Sequence, residues 1–170
     1  MTNFPSFGRI ATLAAVLAPL TIGAAAPTLA TDTLETHGFW SSVVDTDRDG
    51  TRICGVRTRM ESGGELRLLV IGDQIHLAAY DSHWHMAADG NVRTTIAIDA
   101  AAYRGEAKAV DGQTLLVVGL TKSFVVDFMD GDLMVANFGG VRWRISLAGS
   151  AQATADMAAC VTAAGGDLTS

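Results

Sequence analysis

Cysteine is scarce in this chain, with two among 170 residues, Cys54 and Cys160. Neither stands near the end of the N-terminal apolar run, which argues against a lipid-modified N-terminus. Neither belongs to a Cys-X-X-Cys pair or has a histidine beside it in sequence, which argues against a catalytic thiol. Runs of positive charge are missing as well. Twelve Lys and Arg stand against 18 Asp and Glu, and Arg142 with Arg144 makes two charges and no patch. An acidic field of this kind repels nucleic acid and anionic membrane surfaces, so neither is expected as a partner. There is no phosphate-binding glycine loop and no His-Glu-x-x-His helix. Leu147-Ala148-Gly149-Ser150-Ala151 lacks the second glycine of a Gly-x-Ser-x-Gly elbow, which leaves Ser150 better suited to capping a helix. Acidic pairs such as Asp127 and Asp130 exist, but a glycosidase needs two carboxylates at a fixed separation across a cleft, and spacing in sequence does not establish that. No linker and no internal repeat divide the chain. These absences point to a protein without catalytic activity and without a cofactor.

What is present begins at the N-terminus. Residues 1–9 carry one positive charge and no acid, residues 10–26 are an apolar run, and Thr28-Leu29-Ala30 offers the small residues of a signal-peptidase site. The run is diluted by Thr12, Pro19, Thr21 and Gly23 and is marginal against the ~20 apolar residues of a membrane span, so it reads as a cleaved signal peptide rather than an anchor. Residues 1–30 are thus expected to be removed, leaving residues 31–170 as a single β-rich secreted domain with no transmembrane segment, periplasmic or released. Cleavage removes Arg9 and no acid, so eleven bases face 18 acids and the net charge falls from −6 to −7.

In an exported chain two cysteines are most simply a disulfide pair, Cys54 with Cys160; the alternative is two buried free thiols. The pair would close a loop of about 106 residues, for which chain entropy gives an upper figure of roughly 4–5 kcal/mol.

Turn dipeptides punctuate the mature sequence: Asp49-Gly50, Gly63-Gly64, Gly72-Asp73, Asp89-Gly90, Asp111-Gly112 and Asp130-Gly131. Between them lie strand-length segments at 39–44, 52–60, 65–71, 74–80, 92–98, 101–110 and 114–120, with a last hairpin at 133–138 and 141–147 turning on Gly139-Gly140. The final segment alternates cleanly, Val141, Trp143, Ile145 and Leu147 against Arg142, Arg144 and Ser146. An Ala-rich stretch at 151–163, with Ser150 as N-cap and Gly165-Gly166 as a stop, predicts a C-terminal helix. Residues 122–129 predict a short one, with a strand as the alternative. The fold expected is mainly β: an antiparallel sandwich or barrel-like meander with a C-terminal α-helix. One further segment, 31–37, is a candidate to protect an edge strand.

Two constellations suggest metal chemistry. Asp45-Thr46-Asp47-Arg48-Asp49-Gly50 reproduces the first half of a calcium loop, oxygens at positions one, three and five and glycine at six; Val56 stands where the bidentate Glu belongs, so a solvated hairpin turn is the plainer reading. His83 and His85 share a face if they lie on a strand, and could bind Zn²⁺ or Cu²⁺ if His76, His37 or a carboxylate supplied a third ligand. The plainer reading is a polar strand face whose Trp84 is core.

The order Gly38-Phe39-Trp40, Cys54-Gly55-Val56, Ile98-Asp99, Phe124 to Phe128, Trp143-Arg144-Ile145-Ser146-Leu147-Ala148-Gly149-Ser150 and Cys160-Val161 resembles small exported proteins of the invasion-associated locus B type and related periplasmic proteins. The likeness spans nearly the whole mature chain and consists of core, turn and disulfide positions. It implies a secreted β-sandwich with a disulfide and a role at the bacterial envelope or in contact with a host, and it brings no catalytic residues. The expected function is that of an exported envelope-associated or host-contact accessory protein that binds a macromolecule. The alternative is a periplasmic metal-binding protein using His76, His83 and His85, or Asp45, Asp47 and Asp49.

Overall fold

All three prolines, Pro5, Pro19 and Pro27, precede residue 31, so every later residue has a backbone N–H to give to a ladder. The computed structural model describes residues 32–168; the expected signal peptide over 1–30 and its expected cleavage site lie outside them. Ten strands use those donors: β1 (Asp32–His37), β2 (Trp40–Thr46), β3 (Arg52–Arg59), β4 (Glu65–Ile71), β5 (Gln74–Tyr80), β6 (Asn91–Ile98), β7 (Ala101–Ala109), β8 (Thr114–Leu120), β9 (Leu133–Phe138) and β10 (Val141–Ser146). Helix α1 (Lys122–Asp130) separates β8 from β9, and α2 (Ser150–Ala163) closes the chain. The strands form one antiparallel sheet in the order β1-β2-β3-β4-β5-β8-β7-β6-β9-β10, so the fold is the mainly β, antiparallel one expected.

A sheet this wide buries one face by curling over it. The alternation of each strand supplies the inward residues: Val56, Leu66, Leu68 and Leu77 from the first half, Ile96, Ile98, Leu115, Met134 and Ile145 from the second, all in one core with Phe124 and Phe128 of α1 and Met157 of α2. Trp40 is fully buried among them, edge-on to Phe128 at 4.7 Å between ring centroids, and its Nε1 donates to the Ser146 carbonyl at 2.9 Å. That bond and one from Phe39 N to Ala148 O at 3.3 Å tie the β1–β2 turn to the joint between β10 and α2. The approach demands glycine on both sides. Gly38 (φ +58°) and Gly149 (φ +95°) are left-handed, and a Cβ would fall 2.7 Å from the Ala148 oxygen at the first and 1.9 Å from the His37 oxygen at the second.

Several expectations are refined here. Of the segment expected to cover an edge, Asp32–His37 forms β1, itself the edge strand beside β2. Ser150 is the first residue of α2 rather than its N-cap; Gly149 takes the cap position, and the Ser150 hydroxyl donates to the Phe128 carbonyl at 2.8 Å, joining the two helices. Asp130-Gly131 ends α1 instead of reversing a strand, since the segment before it is helical. Among the described residues no helix is long and apolar enough to cross a membrane.

Cys54 on β3 and Cys160 on α2 are joined as a disulfide across a Cα separation of 5.9 Å, 106 residues apart in the chain. Replacing both cysteines by serine is expected to lower the unfolding free energy by about 2–5 kcal/mol, read as a lower denaturant midpoint with a steeper slope, because the unfolded chain freed of the link exposes more surface. A change below about 0.5 kcal/mol would mean that the link constrains the unfolded chain very little.

Candidate binding face

The pairing register places side chains in rows across the outer face of the sheet, opposite the core. One row runs Arg59, Glu65, Tyr80, Thr114; the next runs Arg57, Arg67, Ala78, Leu116, Lys108; a third begins Gly55, Leu69, His76. Their strand neighbours Thr58, Leu66 and Ala79 are the ones that face the core. Arg57 and Arg67 stand directly opposite each other on adjacent strands, an arrangement that repels. Glu65, 8 % exposed, lies between the arginines. The Arg59 Nε donates to one of its oxygens at 2.7 Å and the Arg67 Nε to the other. Burial pushes the Glu65 carboxyl up, but hydrogen bonds from Arg59 and Arg67 outweigh it and hold the group below the usual carboxylate range. Burial and the neighbouring Arg59 and Arg67 lower the Arg57 guanidinium from its ordinary value, and its Nη2 donates to the Thr33 hydroxyl at 2.6 Å. Beside this charge lies a recess of about 370 Å³ lined by Leu69, Ala78, Tyr80 and Thr114, with Tyr80 38 % exposed.

The histidines named from sequence fall in different settings. His76 is buried on β5 at the bulge against β8, and its Nδ1 has no hydrogen-bond partner. His83 and His85 are not on a strand, because β5 ends at Tyr80 and residues 81–90 form a loop, so the shared face expected of positions two apart does not arise. Asp81 organises that loop: its Oδ1 accepts from the His83 backbone N–H and ring Nδ1, both at 2.9 Å. Trp84 between the two histidines stacks on Trp143 at 5.2 Å, half-buried against the core from a loop, where the plainer reading placed it in the core from a strand.

The three aspartates sit in and beside the β2–β3 turn. Asp47 Oδ1 accepts from the N–H groups of Asp49 and Thr51 at 2.9 and 2.8 Å, and Asp45 Oδ1 from Thr46 N at 2.9 Å, the bonding of a solvated Asx turn. Among the described residues one group of three brings ligand atoms within 4.8 Å of one another, and it is Glu35, His37 and Asp156, which neither constellation contains as a set. His37 Nε2 donates to Asp156 Oδ2 at 2.7 Å and lies 3.9 Å from Glu35 Oε2, while the Ser42 hydroxyl donates to Asp156 at 3.2 Å. From sequence His37 is only a supplementary ligand; its partner on α2 is 119 residues away, a distance no local pattern spans.

The burial of His76 has a pH consequence. Desolvation lowers its pKa, so below about 6.5, the ordinary imidazole value, the unfolded chain binds a proton that the folded state resists. Its contribution is fully present above that pH and is lost as the medium is acidified. His76→Leu is therefore expected to flatten the fall in melting temperature between pH 7 and 5.5 relative to the parent. Parallel profiles for the two proteins would show that the imidazole is freely solvated.

Comparison with protein-family models, with curated proteins and with solved structures finds no match for this chain.

Proposed function

We propose that this is an exported, envelope-associated or host-contact accessory protein, without catalytic activity, that binds a protein partner through the outer face of β3, β4, β5 and β8. The observation that carries this reading is the opposition of Arg57 and Arg67. Like charges directly across a ladder destabilise a sheet. Here they are gathered with Arg59 on one face of a chain whose formal net charge is −6. An acidic segment of a partner would relieve that repulsion, be steered by it during encounter and meet the exposed ring of Tyr80, the side-chain type that anchors interfaces. The disulfide suits an oxidising compartment and so supports export. The likeness of Gly38-Phe39-Trp40, Trp143 to Ser150 and Cys160-Val161 to invasion-associated locus B proteins leads to the same place.

A photo-crosslinking residue at Tyr80, and separately at Val141 on β10 as a control, tests this in the producing cell. A defined adduct is expected at Tyr80 and not at Val141, lost in the Arg57→Glu, Arg67→Glu double variant, on a protein whose intact mass begins at Thr31. Equal adducts at both positions, or an adduct indifferent to the charge reversal, would sink the reading.

A second reading, binding of a divalent cation, is favoured by the Glu35, His37 and Asp156 group. One imidazole and two carboxylates suit a Zn²⁺-type ion, and the Ser42 hydroxyl, which donates to the same Asp156 oxygen that His37 meets, helps to fix that carboxylate. Calorimetric titration with Zn²⁺ is expected to give one site per chain that disappears in His37→Ala and persists in His83→Ala with His85→Ala. Heat that follows the second variant instead would return the metal to the loop histidines.

A further inference from the structure

The sheet has an opening within it. β7 pairs with β6 from Ala101 to Lys108, but with β8 through Lys108↔Leu116 and Ala109↔Leu115 alone, while β8 follows β5 as far as Leu120. Beyond Lys108 the two strands part around a cleft of about 380 Å³. Alternation decides which backbone groups face it. Ala109 donates to Gly90 O at 2.8 Å and accepts from Asp89 N at 2.9 Å, on the β6 side, whereas Val110 N donates to Thr114 O on the β8 side. Stepping back by twos along an unshifted register, Ala102, Arg104 and Glu106 direct N–H and C=O away from β6 and toward the cleft. All three are exposed, and among the described residues no strand residue is paired with them on that side.

The parting is built in from both sides. Tyr103 packs edge-on to Phe124 at 4.9 Å and its hydroxyl donates to the Asp127 carboxylate, fastening β7 to α1. β8 is drawn the other way, following β5 through the bulge at His76, with Gly119 at φ +70°. The inner layer is also one side chain short. Gly105 shares its face with Tyr103 and Ala107, yet it is exposed, and a Cβ built on it would meet nothing within 4 Å. Ile96 and Val117, 2 % and 8 % exposed, border the space it leaves. The outer edges on β1 and β10 carry no glycine.

We infer that the cleft between β7 and β8 takes an extended segment of a partner polypeptide, added as a strand along β7. Only an extended peptide repeats donor and acceptor every second residue, as Ala102, Arg104 and Glu106 require, and its alternate side chains separate an apolar one, set over Gly105 against Ile96 and Val117, from polar ones facing out. An acidic residue opposite Arg104 and a basic one opposite Glu106 complete the match. A segment of about five to seven residues spans the site. The inference draws on the partner-binding reading only in taking the partner to be a polypeptide. It falls alone if the cleft proves closed while the Tyr80 adduct remains.

The test uses a displayed library of nine-residue peptides panned against the oxidised protein, with the selected peptides synthesised and amide exchange followed residue by residue. In the free protein the amides of Ala102, Arg104 and Glu106 should exchange rapidly, and a selected peptide with alternating apolar residues should slow them at least about tenfold. Arg104→Pro, which removes one cleft-facing donor without touching the β6 ladder, should weaken binding about tenfold, the worth of one such bond. Gly105→Trp, which fills the space, should weaken it further while leaving the melting temperature near that of the parent. Slow exchange of these amides in the free protein, peptides that bind both variants as tightly as the parent, protection confined to β1 or β10, or a library that yields no binder would each overturn the inference.

Discussion

Everything in this fold hangs on Trp40. A ten-stranded sheet with two open ends hides one face only if it curls until those ends meet, and Trp40 stands where they do. Its ring fills the space beside Phe128 and its one polar atom finds the Ser146 carbonyl at the end of the last strand. Burying a side chain of this size contributes about 1.5–3 kcal/mol, and truncating it costs more because the emptied space does not collapse fully. The glycines at 38 and 149 let the two backbones close to a distance no Cβ permits. With the first hairpin held against the β10–α2 joint, α2 lies over β1, β2 and β3, and Cys160 comes within reach of Cys54. The disulfide thus preserves a geometry that packing has already made.

Curling also decides what the outer face is for. Inward positions had to be apolar to form the core, so charge could be placed only outside. Most of it is dispersed there, as solubility at a negative net charge favours. The Arg57, Arg59 and Arg67 group departs from that pattern. Glu65 answers part of the repulsion from a buried position, where an ion pair is screened less than on open surface. A local rule broken on one face is a common mark of a site kept for contact rather than for stability, which is the ground of the function proposed above.

How much of this could be read beforehand depended on range. Val141 to Leu147 alternates so regularly that the strand and the core residues Trp143, Ile145 and Leu147 were legible, while Val141, assigned to the same face, is exposed beside the turn; Asp-Gly or Gly-Gly pairs marked most reversals because they readily supply positive φ. The cysteine pair followed from compartment logic. β1 was visible only as a segment able to cover an edge: Asp-Thr-Leu-Glu-Thr-His has no apolar alternation, and it is a strand because β2 offers it a ladder. The strand on which His83 and His85 would share a face does not form, and the contact that decides the loop over 81–90, Trp84 on Trp143, spans 59 positions. Cap and core competed at Ser150, and the Phe128 carbonyl, 22 residues back, won its hydroxyl. The arginine rows and the Glu35, His37, Asp156 group were beyond reach for one reason: each is defined by the register of distant segments, and a register shifted by one residue would send every side chain to the other face.

The staple and the opening lie in different parts of the sheet, and the separation has a physical consequence. Cys54–Cys160, the His37–Asp156 bond and α2 all brace β1, β2 and β3. Between β7 and β8 the bracing is of another kind: Tyr103 ties β7 to α1, while β8 stays with β5. Two strands anchored to different neighbours can remain apart without either unravelling, because each keeps one complete ladder and its inward residues stay in the common core. A strand added there therefore gains backbone bonds without first breaking any, and its ordering cost is borne by the incoming segment rather than by the fold. Rigidity near the disulfide and an unfilled ladder far from it are then two outcomes of a single design, in which the closed end holds the curl that keeps the other end presentable.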